Sequence, residues 1–489
     1  MQDYSPSNSS VRKVEKTSVV SGIMWSMLSR FGTLAITFCA NIVLARRLSS
    51  DDFGALGLLT VFVALAGTIL DAGLGTALIQ KKNPEKIDYS TVFVFNIAIS
   101  SLLYVAIFFA APFVADYYDK AILTDILRVQ SIILFVNAFR IIQYNILIKQ
   151  LRFKRLTLVD IGSALIGSAV GVVLAYTGFG VWSLVVNNIV YALVFTVVIN
   201  LMATWRPSLQ FSSRAFKQLF SFGGLVMVSN LIDTLYKNIQ NLIVGKAFSV
   251  SELGYYAQAK KLEEVPVMGV SSAINSVLFP VYSNLQDNKK VLSEKLNNNV
   301  DIITFVLIPI MAIAIVIAEP LVEMLYTAKW SDSVPYFQLL CVAGAILPVN
   351  MANLNIIKSQ GKGLVYLLMQ IAQLVLGVGA MLIGSSWGVH GLICGSIIVS
   401  YLYTIIIVNI NATLLGKSVY RQFVSIAKNM ILAVIVYLIV FAIFSKVQMG
   451  LFLSLIVPVV AYVAIYLLVS YVFRISGLNM CLRIINKQK

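Results

Sequence analysis

Fourteen apolar runs, each long enough to cross a bilayer as a helix, follow one another from end to end of this chain. They fall at roughly 18–44, 53–79, 89–113, 126–148, 156–177, 181–202, 218–245, 253–281, 299–318, 335–357, 363–385, 389–413, 424–445 and 451–473. A hydrocarbon core about 30 Å thick takes about 20 residues of helix. Lipid offers backbone donors and acceptors no partner, so only helices and closed barrels span it, and runs of this length select helices. Of the 489 residues, 59% are hydrophobic and 12% charged, against about 45–50% and about 25% in soluble domains. A string of globular cores is therefore excluded. The predicted fold is all-α and integral to the membrane, with about 14 transmembrane helices. The first, seventh and eighth runs carry several polar residues and lie nearest the hydropathy limit. The first run is of spanning length and does not read as a cleaved leader.

The charge balance is basic, 37 Lys and Arg against 21 Asp and Glu, and its placement decides what it means. From a cytoplasmic N-terminus, twenty-five basic residues fall on one side, in loops such as 81–88, 149–155 and 289–295. Six fall on the other side and six inside spans. That asymmetry follows the positive-inside rule for short loops. Both termini are expected in the cytoplasm, the protein is expected to cross the membrane many times, and no nucleic-acid partner is implied. The single histidine, His390, makes His-based catalysis and His-rich metal sites improbable. Cys39, Cys341, Cys394 and Cys481 lie far apart, without disulfide or zinc spacing. No catalytic residue, metal or cofactor is expected.

The sequence repeats itself. Asn41 to Gly54 aligns without a gap on Asn241 to Gly254, with Asn, a basic residue, Ser, an acid and Gly recurring at an offset of 200. Pro112 matches Pro320, and Gly180-Val181 matches Gly388-Val389, at an offset of 208. Runs 1–6 thus repeat as runs 7–12, and an even number of spans per repeat makes the two lobes parallel. The expected organisation is a tail at 1–17, an N-lobe at 18–203, a linker at 204–217 and a C-lobe at 218–414. Two further spans occupy 415–473, and a basic tail 474–489.

Ionisable residues inside spans are costly and usually face a bundle interior. In the first run Ser26, Arg30, Thr33, Thr37 and Asn41 are spaced 4, 3, 4, 4, one stripe of a helix. In the seventh, Asn230, Asp233, Lys237 and Asn241 are spaced 3, 4, 4, and the 200-residue offset superposes the two stripes. A hydrated cavity between lobes is the expected meeting place. Candidate substrate ligands are Arg30, Lys237, Lys260, Lys261, Asn41, Asn241 and Arg140; candidates for ion coupling or gating are Asp71, Asp160, Asp233 and Glu264. Glu263 also lies in the eighth run. Asp233 and Lys237, four residues apart, could equally be a structural pair, as could Lys260 or Lys261 with Glu264, and Arg140, Asp71 and Asp160 could pair locally. Arg30 has no acid one turn away. Surplus cation favours an anionic ligand group, which Arg would grip bidentately and Lys as a point charge. Pro266, Pro280 and Pro309, and Gly73 and Gly75 after Asp71, permit kinks.

Several stretches resemble bacterial Wzx-type polysaccharide transporters, the lipid-linked oligosaccharide flippases of the multidrug/oligosaccharidyl-lipid/polysaccharide exporter superfamily. They are Leu44-Ala-Arg-Arg-Leu-Ser-Ser-Asp-Asp-Phe-Gly54, Asp71-Ala-Gly-Leu-Gly-Thr-Ala-Leu-Ile-Gln80, Leu253-Gly-Tyr-Tyr-Ala-Gln-Ala-Lys-Lys261 and Leu278-Phe-Pro-Val-Tyr-Ser-Asn-Leu-Gln286. The resemblance covers essentially the whole chain. It implies alternating-access movement of undecaprenyl-pyrophosphate-linked repeat units across the inner membrane for O-antigen, capsule or exopolysaccharide. A polysaccharide polymerase and chain-length machinery are the implied partners, besides membrane lipids. The family shares no fixed set of binding residues, so the candidates above rest on their spacing. The alternatives are an ion-coupled drug antiporter of the same superfamily, or a membrane polysaccharide polymerase, though no large external loop is present.

Overall fold

The computed structural model describes residues 8–202, 205–445, 447 and 449–480, with side chains from residue 21 onward except 23, 222, 225, 272–277, 279, 280, 284 and 417. Residues 1–7 of the expected 1–17 tail, residues 481–489 of the expected 474–489 tail (with Cys481), Lys446 and the Pro280 side chain lie outside the described residues.

Every regular element among the described residues is helical. The first nine are α1 (Asn8–Arg47), α2 (Ser50–Asp71), α3 (Leu74–Gln80), α4 (Lys86–Tyr117), α5 (Ile122–Gln130), α6 (Ile133–Lys149), α7 (Phe153–Tyr176), α8 (Trp182–Leu201) and α9 (Ser213–Ala247). The rest are α10 (Val250–Asn284), α11 (Lys289–Val316), α12 (Ala318–Tyr326), α13 (Ser333–Gly344), α14 (Leu347–Ser359), α15 (Gly363–Gly384), α16 (Gly388–Leu415), α17 (Arg421–Phe444) and α18 (Leu451–Val472). By length and composition, eleven helices can cross a membrane, or twelve if the bent pair Ser213–Ser221 and Val226–Ala247 is one span. The protein is multi-pass. Gly363–Leu415 counts once in that tally, although a 3-10 turn at Ser385–Trp387 separates α15 from α16 within it. α10, with Lys260, Lys261, Glu263 and Glu264, is not among the eleven.

Internal contacts divide the chain into two compact units, Met1–Asn238 and Ile239–Lys489. The contacts part within α9 rather than in the 204–217 linker, because the first half of α9 is tied to α2 and α3. Thr68 and Thr234 share a hydrogen bond of 3.0 Å, and the backbones of Gly73 and Gly223 meet where a Cβ on Gly73 would overlap the Gly223 carbonyl.

In the first unit, the run at 53–79 is two helices. Ala72 and Gly73 turn left-handed, at φ 44° and 65°, and the Asp71 carboxylate folds over the backbone of Gly73 and Gly75 at the start of α3. The far end of α3 is capped by the Lys149 ammonium, which donates to the carbonyls of Leu78 (3.1 Å), Ile79 (3.2 Å) and Lys81. A cation at a helix C-terminus meets unpaired carbonyls and the negative end of the dipole. Lys81 in turn grips the buried Asp88 at 2.8 Å.

In the second unit, the helix after the twelve-run core is held by buried polar groups. Asn429 of α17 donates to Thr304 of α11 at 2.8 Å, and Arg421 lies 3.8 Å from the buried Asp301. Helix boundaries recur at the 200-residue offset: α1 and α9 end at Arg47 and Ala247, and α2 and α10 begin after Ser49 and Ser249. Each serine accepts the N–H of the acid three residues on, Asp52 or Glu252, as N-caps do.

Candidate functional site

The site grows from the way α1 lies on α7 in the first unit. Glycine lets the two helices close. Side chains on Gly22 and Gly32 would run into Phe153 and Ile161 of α7. Thr157 donates its hydroxyl to the Trp25 carbonyl at 2.8 Å. At about 100° per residue, Ser26, Arg30, Thr33, Thr37 and Asn41 occupy one side of α1, and the exposed Met24, Leu28 and Phe31 the side away from it. Of the first set Ser26 and Arg30 are exposed, Thr33 and Thr37 half-buried and Asn41 buried, so the stripe is open only toward its start; the second set reads as a lipid face. Arg30 is exposed on the polar side and makes no hydrogen bond or ion pair with any described residue.

Beside Arg30, four helices bring their chemistry together. Asp160 of α7 accepts the hydroxyl of Ser29 (α1) at 2.6 Å and of Tyr191 (α8) at 2.7 Å. Tyr191 reaches Asp160 because Gly167 and Gly171 of α7, four residues apart, let the Asn187–Tyr191 turn of α8 press against the helix backbone, the close approach that small residues permit between membrane helices. Arg140 of α6 stacks its guanidinium 4.9 Å from the centre of the Phe195 ring. It lies in the field of Asp160, Tyr191 and Tyr144 yet makes no hydrogen bond and no ion pair among the described residues. Asp160 is thus satisfied by two hydroxyls, and the Arg140 fork is left with all its donors. Such a group suits a phosphate or carboxylate ligand.

One turn toward the loop from this cluster, a cavity of about 430 Å³ opens over the same seam, lined by Trp25, Phe153, Arg152, Lys154 and Arg155 together with Ser21, Gly22 and Leu151. All three basic side chains are exposed, and Lys154 lies 5.5 Å from the Trp25 ring centre. The groove and the cluster are consecutive along the seam: Thr157 on Trp25, then Asp160 on Ser29.

The other sequence candidates are distributed differently. Asp233 and Lys237 form the i, i+4 pair at 2.6 Å, with 41% and 67% of the side chains exposed. Lys260 sits 5.9 Å from the Tyr256 ring centre, and Glu264 forms no ion pair with Lys260 or Lys261 among the described residues. Asp71 is spent on the α2–α3 break. Asn41 is buried near the end of α1 and Asn241 half-buried near the end of α9. Among the described residues no group of acids, cysteines and histidine could hold a metal ion. His390 packs edge-on against Tyr336 at 5.0 Å. Spacing along one helix could not have found Ser29, Tyr144 or Tyr191, whose role comes from tertiary contact.

The family described as polysaccharide biosynthesis protein matches residues 43–335. The chain is a member of that family. It is similar to the succinoglycan biosynthesis transport protein ExoT of Rhizobium meliloti (strain 1021), with 27% identity over 83% of this chain and 80% of that one. It is also similar to the lipopolysaccharide biosynthesis protein WzxC of Escherichia coli (strain K12), with 24% identity over 84% of each. Among solved structures, the lipid II flippase MurJ in its inward closed conformation superposes with a TM-score of 0.75 at 14% identity, covering 92% of this chain and 98% of that one. An inward-facing multidrug resistance MATE transporter superposes with a TM-score of 0.61 at 18% identity, over 83% and 95%. These two likenesses establish the fold.

Proposed function

We propose that this chain flips undecaprenyl-pyrophosphate-linked oligosaccharide repeat units from the cytoplasmic to the periplasmic leaflet of the bacterial inner membrane, by alternating access. The product serves O-antigen, capsule or exopolysaccharide assembly, with a polysaccharide polymerase and chain-length machinery as partners. The same reading has fourteen spans: two parallel six-helix repeats and an added pair, with both termini in the cytoplasm. Similarity to relatives named for succinoglycan transport and lipopolysaccharide biosynthesis supports the substrate class.

The observation that carries the reading is the succession of unneutralised cations along one seam of the first unit. The groove at Arg152, Lys154 and Arg155 gathers a diphosphate by charge. The apolar walls at Trp25 and Phe153 take the adjoining prenyl chain. Arg30 and Arg140 then offer bidentate forks to the phosphates. Lys237, Lys260 and Lys261, with Asn41 and Asn241, are the further candidate ligands for the sugar and its acidic groups. Asp160 keeps Tyr191 and Ser29 in place and supplies a carboxylate to discharge the anion from Arg140. Asp71, Asp233 and Glu264 remain candidates for coupling or gating.

Deleting the gene in its own host tests this. Surface polysaccharide should disappear while lipid-linked repeat units accumulate in the inner leaflet, and the plasmid-borne gene should restore both. Unchanged surface polysaccharide in the deletion strain would overturn the assignment.

A further inference from the structure

Glu263 lies in α10 with 5% of its surface exposed, and its Oε1 has no hydrogen-bond partner. Among the described residues it forms no ion pair. An isolated ionised carboxylate in such a place is so costly that the group takes up a proton instead. The carboxyl is pressed against Gly344, where any Cβ would overlap Oε1. Gly344 is the last residue of α13, where the span Ser333–Ser359 breaks before α14.

The break leaves a carbonyl without a donor. The helical donor to the Gly344 carbonyl would be the N–H four residues on, which is Pro348 and has none. The carbonyls just before it are served: Cys341 by the N–H of Ala345, Ala343 by the N–H of Ile346, and Val342 by the Tyr401 hydroxyl. The Ala345 carbonyl, just after it, also lacks a donor among the described residues, because the Val349 N–H turns to Ile346. A carboxyl oxygen without a donor therefore lies against the α-carbon side of Gly344, one of two consecutive residues, with Ala345, whose carbonyls lack a donor among the described residues, at the negative end of a helix dipole. Two acceptors in that position are reconciled by a single proton. A carboxylate there would be repelled by the helix terminus.

We propose that Glu263 is a proton-binding site, and that its proton holds the α13–α14 break closed by linking the carboxyl to the C-terminus of α13. Deprotonation loosens the break; protonation seals it. The charged and titratable groups facing Glu263 are Lys260 and Glu264 on α10 itself and Cys341 on α13. α11 and α14 also pack on α10 and bring no charged group into its field. The proposal goes beyond substrate recognition and does not depend on which lipid-linked sugar is carried.

Cys341 is buried beside Glu263 and reports on the break directly. The full-length protein would be purified with Cys39→Ser, Cys394→Ser and Cys481→Ser, leaving Cys341 alone, and its labelling by a maleimide followed against pH. The same would be done with Glu263→Gln, which is neutral, can donate an N–H, and carries the thiol's own pH dependence. If opening requires loss of the proton, linkage makes the ratio of parent to Glu263→Gln labelling rates climb toward about tenfold per pH unit. Glu263→Leu, neutral but without a donor, should label faster than Glu263→Gln at every pH, with the same slope as Glu263→Gln. A constant ratio of parent to Glu263→Gln across the pH range would overturn the proposal. So would a Glu263→Leu profile that keeps the parent's slope, which also serves if the glutamine variant does not fold. Because labelling is read on isolated protein, either result leaves the flippase assignment standing.

Discussion

Replacing Arg140 by Gln separates ligand binding from architecture unusually cleanly. Removing one member of a buried charge pair ordinarily strands the other, at a cost of about 3–5 kcal/mol. Here the nearest acid, Asp160, is not paired with Arg140 but accepts hydroxyls from Ser29 at 2.6 Å and Tyr191 at 2.7 Å. What the fold loses is the stack on Phe195 at 4.9 Å, worth about 0.5–1 kcal/mol where wet and about 2 where dry. What a bound diphosphate loses is a charge-assisted interaction of about 1.5–3 kcal/mol, or about tenfold to about a hundredfold in affinity. Surface polysaccharide restored in the deletion host, normalised to membrane-inserted protein, should therefore fall at least about tenfold, while the melting transition in detergent moves little. Arg140→Lys should fall between, since the charge persists and the fork does not. Full transport by Arg140→Gln at parental protein levels would refute the anion-binding role. Loss of folded protein with normal transport per molecule would show that the guanidinium serves the fold.

Neutralising the groove with Arg152→Gln, Lys154→Gln and Arg155→Gln together should weaken binding of undecaprenyl pyrophosphate and flatten its salt dependence, because exposed charges act within a Debye length of about 8 Å; an unchanged salt slope would remove the groove from the path. The Asp233–Lys237 pair is well exposed, so Asp233→Asn with Lys237→Met should alter stability by no more than about 1 kcal/mol, and a transport defect in the folded double variant would mark the pair as functional, whereas normal transport would mark it as structural. Single cysteines at 149–155 in a cysteine-free protein should react with an impermeant maleimide only in inverted vesicles, and labelling in intact cells would reverse the orientation.

Much of the fold was legible because crossing a membrane fixes helix length. The runs at 156–177, 424–445 and 451–473 correspond to Phe153–Tyr176, Arg421–Phe444 and Leu451–Val472, within a few residues at either end. Breaks inside a run were harder. Gly73 marked the α2–α3 break, where it follows Ala72 in a left-handed turn, a conformation glycine adopts without steric cost. Pro348, by contrast, sits unremarked in a continuous apolar run, as does the break at Ser131–Ile132 between α5 and α6, where no glycine or proline stands. Hydropathy records how much of a segment prefers lipid; it is blind to a two-residue interruption whose polar groups are satisfied by neighbouring helices.

The site was legible only where its logic runs along one helix. The i, i+4 rule put Lys237 beside Asp233, and they pair. Applied to Lys260, Lys261 and Glu264 the same rule brings Glu264 into the field of Lys261 without an ion-pair contact between them among the described residues, and it directed attention to Glu264 when the buried carboxyl with an unpartnered oxygen is Glu263. Their α-carbons are one residue and about 100° apart, so which of them enters the core depends on where α13 lies, and no periodicity within α10 contains that. Arg140 and Asp160 show the converse. Both were identifiable as costly charges, and an Arg and an Asp in one lobe invite the assumption of mutual neutralisation. The hydroxyls of Ser29 and Tyr191 arrive from helices 131 and 31 residues away in sequence, satisfy the acid, and so leave the guanidinium without an ion-pair partner among the described residues. The surplus of charge here follows from how the neutral residues pack, and counting acids against bases could not have located it.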